Sequence, residues 1–291
     1  MGLRGKRGWS ATLRGGMRIL AFLSTQIVLL AAFARADEAE PIALARPPDP
    51  GWRQTWTGVD AHSNGWLVYG GSTAAPFTDI YSEGLRLRAT TGYGGYGWEG
   101  GRRDLNHPEV PPPRGDATTN YLDFLAGYYK QFGPATIKVF GGVAKIEHNL
   151  GTIICKAPKG KICDSDTIAK VHSDLVNGMD WGPKASFEIW LNIGTDAYAS
   201  FDASYTTAFN TYGSHARLGY RFLPTISAGL EAAINGNAQG DSNNDNLRGG
   251  MFVRYEWFSG EISASGGLSI GDIGNIKEQS FYATVNWATH Y

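Results

Sequence analysis

From about residue 54 onward the chain alternates apolar and polar side chains one by one, in segment after segment. Ile226, Ala228, Leu230, Ala232 and Ile234 share one parity, against Ser227, Gly229, Glu231, Ala233 and Asn235 on the other. Ile262, Ala264, Gly266, Leu268 and Ile270 repeat the pattern, as do Ala185, Phe187, Ile189 and Leu191. A period of two sends successive side chains to opposite faces of a strand, so each segment has one face for lipid or a core and one for water. Placing every such segment predicts about twelve strands. They fall near 54–62, 65–74, 84–96, 118–132, 135–148, 182–193, 197–208, 215–222, 226–235, 247–257, 261–270 and 279–290.

The connections between these strands sort by length. Those after strands 4, 6, 8 and 10 are tight, at Gly133-Pro134, Gly194-Thr195-Asp196, Leu223-Pro224 and Ser259-Gly260, whereas those after strands 3, 5, 9 and 11 are long. Short periplasmic turns opposite longer outer loops are the signature of an antiparallel outer-membrane β-barrel, and a soluble sandwich has no reason to sort its loops by parity. The sorting has exceptions: the connection after strand 2 is longish, and those after strands 1 and 7 are short. The last strand puts Phe281, Ala283, Val285, Trp287, Thr289 and Tyr291 on one face. That arrangement resembles the C-terminal signal by which outer-membrane barrels are recognised for insertion.

Composition agrees. Gly 39, Tyr 14, Phe 13 and Trp 9 beside 18% charged residues make a strand-rich mixture, and the net charge of −1 gives no reason to expect nucleic acid as a partner. Past the N-terminus no apolar run approaches the ~20 residues of a membrane-spanning helix. Residues 1–36 read as a signal peptide: Arg4, Lys6, Arg7, Arg14 and Arg18 precede an apolar stretch from Ile19 to Phe33, and Ala34-Arg35-Ala36 offers a cleavage site before Asp37. Either Met1 or Met17 could be the start. Pro41, Pro47, Pro48 and Pro50 mark 37–52 as an extended periplasmic linker, leaving 53–291 as the barrel domain. Cys155 and Cys163 stand close together in a polar stretch of an exported chain, which predicts a disulfide rather than a metal site.

The faces opposite the apolar ones define an expected lumen. Its basic members are Arg86, Arg88, Lys138, Arg217, Arg221 and Arg254, and its acidic members are Asp123, Glu188, Asp202, Glu231, Glu256 and Glu261. Such balance predicts a lumen filled by ion pairs rather than a channel selective for one sign. Tyr121, Trp190, Tyr198 and Tyr282 also face inward, where rings either pack the wall or stack on sugars. Ile137 and Val139 share a parity with Lys145, which predicts a bulge at Gly141-Gly142.

Chemistry finds little foothold. His62-Ser63-Asn64-Gly65 bears an imperfect likeness to the His and Ser neighbourhoods of barrel hydrolases that act on lipids. Adjacent strand residues point to opposite faces, however, and Ser-Asn-Gly suits a tight hairpin turn without any catalytic role. No cofactor or metal set emerges, so the chain reads as no enzyme.

The stretch Ala203-Ser204-Tyr205-Thr206-Thr207-Ala208-Phe209-Asn210-Thr211-Tyr212, followed by Arg217-Leu218-Gly219-Tyr220 and Leu247-Arg248-Gly249-Gly250-Met251-Phe252-Val253, resembles the cellulose biosynthesis protein BcsS family. Gly58-Val59-Asp60-Ala61 and Leu85-Arg86-Leu87-Arg88 extend the likeness less sharply. The resemblance implies a non-enzymatic accessory of cellulose production in the outer membrane. Its partners would be membrane lipid, a glucan chain and other components of cellulose secretion. A general porin is the alternative, with a lipid-modifying hydrolase behind it. The segment carrying Cys155 and Cys163 departs from the family pattern.

Overall fold

The computed structural model describes residues 51–99, 114–152, 176–237, 245–273 and 276–291. The expected signal segment, most of the linker and the expected Cys155–Cys163 disulfide lie outside the described residues. Twelve strands form: β1 (Arg53–His62), β2 (Gly65–Ala74), β3 (Gly84–Glu99), β4 (Arg114–Phe132), β5 (Ala135–Leu150), β6 (Gly178–Ile193), β7 (Ala197–Thr206), β8 (Thr211–Leu223), β9 (Ile226–Asn237), β10 (Asn246–Trp257), β11 (Gly260–Ile273) and β12 (Ile276–His290). Every sequential pair is antiparallel, and β1 also pairs with β12, so the sheet closes into a barrel. Closure leaves no strand with unpaired backbone N–H and C=O groups, the condition for a sheet to sit in hydrocarbon.

Alternation assigns the two surfaces. On the outside stand Val59, Val68, Leu87, Val139, Leu218, Leu230, Met251, Val253 and Val285, with Met251 66% and Leu230 59% exposed. So large an apolar belt does not face water. Aromatic rings flank it at both edges: Trp66, Tyr93, Trp181 and Phe281 towards one end, Tyr128, Phe132, Tyr220, Phe222, Tyr255 and Trp287 towards the other. A lipid-facing band between aromatic girdles makes this an outer-membrane-type barrel.

Three local expectations are corrected. Pairing runs without a break through Gly141 and Gly142, so there is no bulge there, and Lys145 stays on the outward parity, where it pairs with Glu147 at 3.1 Å. The register shift falls instead between Arg221 and Leu223. The connection after strand 11 is not long, since residues 274 and 275 alone separate β11 from β12. Strand 7 ends at Thr206, and Ala208–Asn210 form a 3-10 turn in which Phe209 and Asn210 take φ of 50° and 49°. Left-handed backbone at two non-glycine residues costs on the order of 1 kcal/mol each and marks a turn held by its surroundings.

Inward-facing rings lie flat across glycines of the next strand. A Cβ on Gly219 would run into Cζ of Tyr198, and one on Gly92 into Cε1 of Tyr121. Gly219→Val therefore forces Tyr198 off the wall. We expect a loss of about 1–3 kcal/mol, as for other overpacked interiors. The readout is the urea midpoint of the detergent-solubilised barrel, and an unchanged midpoint would contradict this packing.

Candidate functional site

Strand parity carries all twelve expected charged residues to the lumen wall and adds Asp60, Asp180, Lys184 and Arg248. The additions are two of each sign, so the balance persists. All four follow from residues already assigned: Asp180 and Lys184 share the parity of Glu188, Arg248 that of Arg254, and Asp60 is next to the outward Val59.

The charges are paired along the wall. Glu188 on β6 accepts from Arg88 on β3 and lies 3.2 Å from Lys138 Nζ, while Arg88 Nε donates to Thr73 at 3.0 Å and its guanidinium sits 3.9 Å from the Phe140 ring. Asp123 takes Lys184 at 2.5 Å and Thr90 at 2.7 Å. Asp60 takes Arg248 at 2.5 Å and Thr284 at 2.9 Å. Glu231 takes Arg217 at 2.9 Å and the Tyr282 hydroxyl at 2.8 Å, with His215 Nε2 at 3.2 Å. Arg254 pairs with Glu256 at 2.9 Å and with Glu261. Taking a charge out of bulk water is costly unless a partner compensates it, and these contacts compensate acid with base on the sheet itself.

Because the pairs lie along the wall, they do not fill the lumen as the charge list predicts. A cavity of about 1450 Å³ is lined from Gln54, Tyr129 and Trp257 at the short-turn end to Tyr96, His148 and Asn237 at the long-loop end. A side recess of about 640 Å³ is lined by Asp60, Arg217, Glu231, Arg248 and Tyr282. The predicted site residues therefore separate. Tyr121, Trp190 and Arg221 line the main passage, Arg217, Glu231 and Tyr282 line the recess, and Arg88 and Glu188 border both. Tyr198 is 1% exposed, bonded to Ser227 and stacked on Trp190 with ring centres 4.3 Å apart. Arg221 lies over the Tyr198 ring and donates to Asn192 at 2.9 Å.

Arg86 is also fully enclosed. Its guanidinium donates to the carbonyls of Asp79, Ile80 and Leu85 at 3.2, 3.2 and 2.9 Å, to that of Ser82, and to the Thr78 hydroxyl at 3.2 Å. It thereby pins the β2–β3 connection, residues 75–83, at the short-turn mouth, where Ile80 and Tyr81 line the passage. The same connection is tied to the end of the linker by Ala75 N–H to Trp52 O and Ile80 N–H to Gly51 O. Burial pushes the Tyr81 phenol up to about 12, so it stays a neutral partner for His290 Nδ1 at 3.1 Å.

At the opposite end the 3-10 turn folds inward. Phe209 meets the His148 ring edge-on at 5.5 Å and packs with Ile146 and Ala208, and its N–H donates to Asp180 at 3.0 Å. Sequence parity places Asn235 on the polar face but misses this turn, together with Tyr96, His148, Asn237 and Asn246 of the passage. His62, for its part, has Nδ1 2.5 Å from Asn64 Oδ1, which orients the ring within the hairpin turn and away from any pairing with Ser63.

Among solved structures, a TodX deletion mutant described as a monoaromatic hydrocarbon channel is 8% identical with a TM-score of 0.50, covering 85% of this chain and 94% of its own. The translocator domain of the autotransporter NalP from Neisseria meningitidis is 13% identical with a TM-score of 0.44, covering 97% and 100%. The KdgM porin in complex with disordered oligogalacturonate is 8% identical with a TM-score of 0.45, covering 82% and 99%. At these identities the likeness is one of fold. No curated protein sequence matches the chain. The family model "Cellulose biosynthesis protein BcsS" matches residues 54–154 and 163–289, and its gap of 155–162 falls on the cysteine-bearing segment that departs from the pattern. With nearly the whole barrel matched, the chain belongs to the cellulose biosynthesis protein BcsS family.

Proposed function

We propose that this barrel is a non-enzymatic accessory of cellulose secretion, seated in the outer membrane on the path by which glucan leaves the cell. Family membership over 54–154 and 163–289 is the observation that carries the reading. The apolar belt supplies the membrane partner, and a polar passage through the barrel supplies a route or a docking groove for a hydrated polymer. In this reading residues 1–36 direct export, cleavage separates Ala36 from Asp37, and 37–52 lead to the barrel through the periplasm. The short-turn end faces the periplasm, and Cys155 and Cys163 form a disulfide in an outer loop. Glucan and the other components of cellulose secretion are the partners. Deleting the gene is expected to lower dye-binding cellulose outside the cell several-fold, with restoration by the wild-type copy. Unchanged cellulose would remove the proposal.

The 1450 Å³ cavity favours a second reading, a solute channel of broad use. Planar-bilayer recording separates the two. A general channel conducts small ions and its loss slows uptake of unrelated solutes, whereas an accessory of secretion changes cellulose alone.

A further inference from the structure

The main passage is not uniform along its length. Its charged lining residues, Arg88, Lys138, Glu188, Arg254 and Glu256 among them, sit in the middle and towards the short-turn end. Towards the long-loop end the described lining turns largely uncharged, apart from Asp123, Lys184 and Asp202. Tyr96, Tyr121 and His148 stand on β3, β4 and β5, while Asn235 and Asn237 on β9 and Asn246 on β10 line the same cavity. In a closed circle of twelve strands β3 lies opposite β9, and β4 opposite β10. A wall of rings therefore faces a wall of amides.

Both walls are held in place. Tyr121 backs onto Gly92, the Tyr96 hydroxyl lies 3.3 Å from His148 Nδ1, and His148 is braced by Phe209 of the strained turn. Asn246 Oδ1 accepts from Ser269 at 2.8 Å and Arg248 at 3.3 Å. Asn237 Oδ1 is buried without a hydrogen-bond partner among the described residues. A ring face binds the C–H face of a pyranose, and a primary amide both donates to and accepts from hydroxyls. Ion pairs add little for a neutral sugar, and the two that border this stretch, Asp123–Lys184 beside Tyr121 and Asp60–Arg248 beside Asn246, are each closed on themselves.

We infer that the long-loop half of the passage is a binding site for a neutral, hydroxyl-rich glycan, with Tyr121 as the ring platform and Asn235 and Asn237 as the hydroxyl-binding wall. This rests on the cellulose reading for the identity of the glycan, a β-1,4-glucan. The site would reject anionic polysaccharides, because the cations that border it, Lys184 and Arg248, are already paired with Asp123 and Asp60.

The test is calorimetric titration of the full-length folded barrel in detergent with cellohexaose and with an oligogalacturonide of the same length. Heat-modifiable electrophoretic mobility verifies that each variant is folded. Wild type and Tyr121→Phe are expected to bind cellohexaose, and Tyr121→Ala and the pair Asn235→Ala with Asn237→Ala to bind about tenfold more weakly. Gln131→Ala, at the other end of the passage, is expected to leave binding unchanged. Equal affinity in all folded variants, oligogalacturonide binding as tight as cellohexaose, or no binding to wild type would each overturn the site. If cellohexaose fails to bind while gene deletion still lowers cellulose, the site falls and the secretion role stands. If cellohexaose binds as expected while deletion leaves cellulose unchanged, the site stands and the role falls.

Discussion

Arg86→Ala will widen the short-turn mouth and raise single-channel conductance several-fold, because Arg86 is the tie that keeps residues 75–83 across the passage. The side chain is 1% exposed and donates to backbone carbonyls at Asp79, Ile80, Ser82 and Leu85. Its flat face lies 5.0 Å from the centre of the Tyr129 ring. A guanidinium can hold several carbonyls at once because its five donors are fixed in one plane. Alanine leaves those carbonyls without their shared donor, and the connection keeps its ties from Ala75 and Ile80 to Trp52 and Gly51, from Tyr81 to His290 and from Glu83 to Lys130. Each hydrogen bond from a charged donor of this kind contributes about 1.5–3 kcal/mol, so losing them together loosens the segment over the mouth. Arg86→Lys keeps the charge but not the fork, and should give an intermediate conductance. Planar-bilayer recording of the folded protein checks this, and wild-type conductance in the alanine variant would show that the constriction lies elsewhere.

How far the sequence discloses this architecture depends on where along each strand one looks. Within the belt, one face is apolar and the other polar, and the alternation places β2 and the short-turn ends of its neighbours to within a residue or so. Towards the long-loop end the strands outrun the lipid. Arg114-Gly115-Asp116-Ala117, Gly178-Met179-Asp180-Trp181 and Thr211-Tyr212-Gly213-Ser214 extend β4, β6 and β8 beyond the predicted starts. On β4 and β8 polar residues there occupy both faces, so the period fades while the backbone pairing continues, whereas on β6 Met179 and Trp181 keep an apolar outward face. The turn at Phe209 is hidden for another reason: nothing in Ala208-Phe209-Asn210 announces left-handed backbone, which is stabilised by Ile146, His148 and Asp180 on other strands. That turn lies within the stretch where the family likeness is sharpest, so the strained geometry and the family pattern coincide. The lumen charges are legible by parity, but their partners are not. Arg88 reaches Glu188 from β3 to β6, and Asp60 reaches Arg248 from β1 to β10, distances that only closure of the circle makes short. An open lumen is likewise illegible, since a list of charges does not say whether they fill the centre or lie flat on the wall.

Glu231→Ala should be the most destabilising single change in the lumen, by about 3–5 kcal/mol, the range for removing one member of a buried ion pair. Its carboxylate side chain is 5% exposed and accepts from Arg217 and the Tyr282 hydroxyl, with His215 at 3.2 Å. Alanine strands a guanidinium that is 17% exposed beside the Phe252 ring and a phenol with no acceptor. Glu231→Gln keeps an acceptor oxygen and should cost much less. The double variant Glu231→Ala with Arg217→Met discriminates between causes, because replacing both charges by neutral groups removes the orphan instead of creating one. If the orphaned cation is the source of the loss, the double variant recovers a large part of it. If it recovers nothing, the damage comes from Tyr282, whose hydroxyl sits against Gly250 and depends on the same carboxylate. The surface pair Lys130–Glu83, with both side chains more than 40% exposed, is the internal control, and Glu83→Gln should leave the urea midpoint where it was. Unfolding midpoints of these variants in one detergent decide between the two causes. A Glu231→Ala barrel as stable as wild type would mean that the lumen is wet enough to solvate Arg217 unaided, and that water, rather than paired wall charges, holds the passage open.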